Sequence, residues 1–141
     1  MTSRIYVALD TPDMDRAKAI AASVKGHVGG IKLGLEFFSA NGRAGVREMA
    51  ALGLPIFLDL KLHDIPNTVG MAMKSLMRLA PKPAIVNVHA TGGLDMMKAA
   101  ADAVAGQSKL IAVTILTSLS DDDIWAAGFE TARNTEGHAR S

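Results

Sequence analysis

The sequence predicts an α/β fold of the (β/α)8 barrel type, of which its 141 residues supply about the first five βα units. Three observations carry this. Short apolar runs alternate with segments of helical period, about 20–30 residues per unit. The runs are almost continuously apolar, as strands covered on both faces are. Polar or charged residues recur at the C-terminal ends of several runs: Asp10, Lys32, Asp59 with Lys61, His89, and Thr114 with Thr117. Barrel enzymes collect their chemistry at that face, from many strands. An open doubly wound sheet collects it at one switch point, usually with a Gly-rich phosphate turn after the first strand. Here that turn is Asp10-Thr11-Pro12-Asp13, without glycine.

The elements follow in order. Ile5 to Leu9 is a first apolar strand ending at Asp10, and Thr11-Pro12-Asp13 is a turn and helix start. Asp15 to Val24 is a helix, with Ala17, Ile20, Ala21 and Val24 on one stripe. Gly29-Gly30 opens a strand over Ile31 to Leu33, and a helix from about Arg43 to Leu52 follows. Leu54-Pro55 leads into a third strand, Ile56 to Leu62. Thr68 to Leu79 is a helix whose apolar stripe is Val69, Met73, Leu76 and Met77. Ala84 to Val88 is a fourth strand; Gly92-Gly93 opens a helix over Leu94 to Val104. Leu110 to Leu116 is a fifth strand, and Ser120 to Phe129 a last helix with Ser120 as cap and acidic residues in its first turn. Residues 1–129 thus form one partial barrel domain. Residues 130–141 are polar, lack an apolar period and read as a disordered tail.

Composition narrows the function classes. An apolar fraction of 49% suffices for a core, and a net charge of +1 provides no global field for nucleic acid. The absence of cysteine removes disulfides and thiolate metal sites, and fits a reducing compartment. The segment Met1-Thr2-Ser3-Arg4 runs straight into a strand, and no run has membrane length. The expectation is a soluble cytoplasmic protein with no membrane partner.

Residues 58–68 are the most informative stretch. An apolar strand carries a carboxylate at Asp59 and an ammonium at Lys61, which share a face because a strand repeats every two residues. Asp64 follows in the turn. Charges in a core strand must pair or do chemistry. Lys32 reads as a further site cation or as a lysine snorkelling at a sheet edge. Asp10 reads as a site carboxylate or a cap for the next helix, and Thr117 as a ligand-binding residue or the start of a turn. His89 reads as a packing histidine, and Met71, Met73, Met77, Met96 and Met97 as filling helix contacts. No grouping of His, Asp and Glu has metal-site spacing, and no Gly-x-Ser-x-Gly elbow is present.

These residues carry a resemblance. Asp59-Leu60-Lys61-Leu62-His63-Asp64-Ile65-Pro66-Asn67-Thr68 resembles in full the signature of the orotidine 5′-phosphate decarboxylase family. Val7-Ala8-Leu9-Asp10, Gly30-Ile31-Lys32-Leu33-Gly34, Asn87-Val88-His89 and Leu116-Thr117-Ser118 support it, in order and spacing, from residue 4 to about residue 129. Asp-x-Lys-x-x-Asp alone is shared with ketogulonate-phosphate decarboxylases and hexulose-phosphate synthases; the Ile-Pro-Asn-Thr continuation separates the chain from them. The resemblance implies conversion of orotidine 5′-phosphate to UMP and CO2, the last step of de novo UMP synthesis, with no cofactor and no metal. It implies that Lys61 donates the proton, that Asp59 lies beside the departing carboxylate and that Lys32 reaches the ribose. It implies ribose or array contacts for Asp10 and pyrimidine contacts for Thr117. Asp64, Ile65, Pro66, Asn67 and Thr68 belong to the substrate-binding set, with Asp64, Ile65 and Thr68 lent to a neighbouring subunit's site in a homodimer. It further implies that phosphate is gripped by late-strand loops, including an arginine, beyond the five strands seen here. The rival expectations are a sugar-phosphate enzyme of the same superfamily and a non-catalytic truncated piece.

Overall fold

A computed structural model describes residues 3–129. Five strands, β1 (Tyr6–Ala8), β2 (Gly30–Gly34), β3 (Ile56–Leu62), β4 (Ile85–His89) and β5 (Lys109–Val113), alternate with five helices. These are α1 (Met14–Val24), α2 (Leu35–Ala50), α3 (Pro66–Leu76), α4 (Leu94–Val104) and α5 (Asp121–Ala126). All four strand pairings are parallel, and the sheet order is β1-β2-β3-β4-β5.

That order decides the architecture. A parallel crossover is almost always right-handed, so a sheet that grows by one neighbour at a time carries all its helices on one face. An open doubly wound sheet would reverse its order at a switch point. This sheet has none and is a barrel segment. Alternate strand residues Ile31, Leu33, Ile56, Leu58, Val86 and Val88 are buried with Phe37, Met49, Met73 and Met96 of the helices. The other parity, Tyr6, Lys32, Asp59, Asn87 and His89, faces the barrel interior. Tyr6, Ile85 and Lys109, from β1, β4 and β5, line one open concavity, so the sheet curls. Gly30 makes room for this curl: a Cβ there would meet the Tyr6 ring at 2.3 Å.

β3 and α4 have the bounds expected from the sequence. The remaining differences have local causes. α2 begins at Leu35 rather than Arg43, because Asn41-Gly42 is not a loop but a kink, with Gly42 at φ 63°, ψ −160° joining two helical pieces. α3 begins at Pro66, since proline needs no N–H partner in a first turn. β5 stops at Val113, and α5 is six residues long, held by a capping box between Ser120 and Asp123. Asp13, not Asp10, caps α1, accepting from the N–H groups of Asp15 and Arg16. The tail expected over residues 130–141 lies outside the described residues. Among the described residues, no helix is long and apolar enough to cross a membrane.

Candidate active site

The charged pair of β3 is built by an irregularity in the sheet. Leu58 pairs with Val86 and Leu62 with Val88, so three β3 residues, Asp59 to Lys61, stand opposite Asn87 alone. Such a bulge re-aims side chains and leaves backbone groups without ladder partners. Lys61 takes φ +50°, the left-handed region that L-residues avoid. Its N–H, lost to the ladder, donates to Asn87 Oδ1 at 2.9 Å.

Asp59 is the hub. Its Oδ1 accepts from Lys61 Nζ at 2.8 Å, and its Oδ2 lies 3.2 Å from Lys32 Nζ. Asn87 Nδ2 donates to the same Oδ1 at 2.7 Å. The Asp59 side chain is 6% exposed, whereas those of Lys32 and Lys61 are 29% and 37% exposed. The carboxylate is therefore sunk in the strand while both ammonium groups reach open space. Burial pushes the Asp59 carboxyl upward, but hydrogen bonds from Lys61, Asn87 and Lys32 outweigh it and hold it below the ordinary 3.8. Asp59 stays ionised at neutral pH. Two ammonium groups flanking one carboxylate leave a net positive charge, suited to an anionic ligand.

The other expected residues lie around this array at varying remove. Asp10 is exposed on the turn after β1, its Oδ1 3.9 Å from where a Cβ on Gly34 would stand, so it leans over the end of β2. Asp64 is exposed and accepts from the Ile65 N–H at 2.7 Å; it forms no ion pair with Lys61 among the described residues. Asp64 thus stands outside the ion-paired set of Lys32, Asp59 and Lys61 among the described residues. Ile65, Pro66, Asn67 and Thr68 form the exposed start of α3. Thr117 is exposed in the turn after β5 that the Leu119 N–H to Leu116 carbonyl bond closes. His89 faces His63, ring centroids 5.4 Å apart, and burial followed by the charges of His63 and Lys61 holds it below the ordinary 6.5. Among the described residues no group of three or more His, Asp or Glu is arranged to hold a metal.

Asn87 is the site residue that sequence reasoning missed as a participant. Its signal was present: a buried amide inside the apolar run of β4, at the same parity as His89.

The sequence profile of the orotidine 5′-phosphate decarboxylase / HUMPS family matches residues 3–138. The chain is 59% identical over 128 residues to the orotidine 5′-phosphate decarboxylase of Novosphingobium aromaticivorans, covering 91% of this chain and 56% of the relative. It is 61% identical over 125 residues to that of Sphingopyxis alaskensis, covering 88% and 54%. The crystal structure of orotidine 5′-phosphate decarboxylase from Lactobacillus acidophilus superposes with a TM-score of 0.80 at 35% identity, over 91% of this chain and 60% of that one. The chain thus spans about half the length of the curated relatives it matches.

Proposed function

The chain belongs to the orotidine 5′-phosphate decarboxylase / HUMPS family, and from that premise we propose that it carries the decarboxylating half of an orotidine 5′-phosphate decarboxylase. The single observation that supports this best is the ammonium–carboxylate–ammonium array of Lys32, Asp59 and Lys61 at the C-terminal end of β2 and β3. Loss of CO2 from pyrimidine C6 leaves an electron pair in the ring plane, poorly delocalised. Preorganised cations aimed at such a charge lower the barrier without reorganising. In this reading the Lys61 ammonium stabilises the developing carbanion and then transfers its proton to C6, giving UMP and a neutral amine that water reprotonates. Asp59 fixes the Lys61 head and repels the substrate carboxylate until CO2 departs. Lys32 reaches the ribose. Asp10 binds the ribose or the array, and Thr117 the pyrimidine edge.

Asp64, Ile65, Pro66, Asn67 and Thr68 complete the substrate set, with Asp64, Ile65 and Thr68 serving the site of a second copy. Two features support a homodimer. Among the described residues Asp64 forms no ion pair, and Leu35, Ile65 and Leu94 are each more than 60% exposed just beyond β2, β3 and β4. An apolar rim around a charged site suits an interface. A cytoplasmic location belongs to the same proposal. Phosphate would be held by late strands that complete the barrel, and that remote grip would contribute to rate as well as affinity.

The test fuses residues 1–129 in register to the late strands of the Novosphingobium relative and measures CO2 from carboxyl-labelled orotidine 5′-phosphate and ketogulonate phosphate. Release from the nucleotide alone is expected. Release from the sugar phosphate alone would transfer the chain to the other branch of its family. Release from neither would leave a non-catalytic piece.

A further inference from the structure

The bulge in β3 leaves Lys61 with two needs that a regular strand never has. Its backbone N–H has lost its ladder partner, and its left-handed conformation must be held against the preference of an L-residue. One side chain meets both. Asn87 Oδ1 accepts from the Lys61 N–H at 2.9 Å, while Asn87 Nδ2 donates at 2.7 Å to the Asp59 oxygen that also holds the Lys61 ammonium. Asn87 therefore grips residue 61 at both ends, directly at the backbone and through Asp59 at the head.

The chemistry of the amide is selective. Only a group with a donor and an acceptor side by side fits between an N–H and a carboxylate. Asp would present acceptors to both, and Ala would serve neither. Asn87 is 2% exposed and lies opposite the bulge, so water does not substitute for it.

From this geometry we infer that Asn87 is a positioning residue for proton delivery: it locks the bulge so that Lys61 holds its ammonium over Asp59. It does not touch the substrate. The inference rests on the reading of Lys61 as proton donor, and its test separates the two.

Two readouts are taken. In the 141-residue chain, hydrogen exchange at the Lys61 amide reports the backbone grip. In the completed barrel, kcat and KM for orotidine 5′-phosphate report proton delivery. Asn87→Ala is expected to speed amide exchange at least about tenfold. It should lower kcat roughly 10²-fold, as a displaced catalytic group does, with KM little changed. Asn87→Asp keeps the acceptor and loses the donor, so the amide should stay protected while kcat falls as far. Should Asn87→Ala fail to fold, Asn87→Asp decides by itself. Parent-like kcat in either variant overturns the inference, as does a loss confined to KM. Lys61→Ala runs alongside: if it keeps parent turnover, the donor assignment fails, whereas protected exchange in the parent would still report the grip.

Discussion

At the scale of single residues, the site is one buried carboxylate with three donors. Asp59 would be costly inside a sheet without them, since an unpaired buried charge destabilises by several kcal/mol, on the order of 3–5. Its lowered pKa fixes the sign of the pH dependence. The folded protein binds this proton less tightly than the unfolded chain. The array therefore stabilises the fold above the ordinary 3.8 and loses that contribution as pH falls through it toward the lowered value. Urea unfolding across this acid range is expected to show a steeper loss in the parent than in Asp59→Asn; parallel curves would mean that Asp59 is not held by the array. The pairing of Asp59 with Lys61 was legible from their spacing of two on an apolar strand. The left-handed turn at Lys61 was not, because a strand pattern gives no sign of a bulge, which shows only in the β3–β4 register. Asn87 was legible as an oddity but not as a partner, for the same reason: its role depends on β3–β4 register.

At the scale of elements, the strands were read better than the helix boundaries. β3 is bounded by Leu54-Pro55 and the polar turn at His63-Asp64, both strong signals, and its range was read in full. α2, expected from about Arg43, begins at Leu35 and runs across Asn41-Gly42. The chain does leave helical geometry there, and Phe37 before the kink and Val46 and Met49 after it are buried in the same core. Gly42 is at φ 63°, ψ −160°, a conformation nearly confined to glycine, while a Cβ would meet nothing within 4 Å. The cost of Gly42→Ala is thus one of backbone alone, about 1–3 kcal/mol. Chemical denaturation gives that number directly, and an unchanged midpoint would show that the kink relaxes. Leu58, buried between the sheet and its helices, gives the contrasting case. Leu58→Ala removes packing next to Asp59 and should cost about 2–5 kcal/mol by the same measurement.

At the scale of the whole molecule, the described chain is a curled sheet with two free edges. β1 pairs only with β2 and β5 only with β4. The interior face is open at Tyr6, Ile85 and Lys109. Unpaired edges template association. The 141-residue chain by itself should self-associate with rising concentration in light scattering, and fusion to the late strands should suppress this to a defined dimer. A monomer at all concentrations would indicate edges protected in some other way. The array stands at the C-terminal ends of β2 and β3, where the barrel segment gathers residues from successive strands, so fold and site imply one another. The barrel class was legible because alternation, apolar runs and strand-end polarity all agree; the close approach of the Tyr6 ring to Gly30 was not, since it depends on the β1–β2 register. The most direct test of the account is CO2 release from orotidine 5′-phosphate by the completed barrel with and without Lys61→Ala. The account predicts a fall in kcat of at least about 10²–10⁴-fold, the range a general acid supplies, with the fold intact. Turnover by Lys61→Ala within about threefold of the parent would contradict it, because a mutation that leaves kcat unchanged has removed nothing from the transition state.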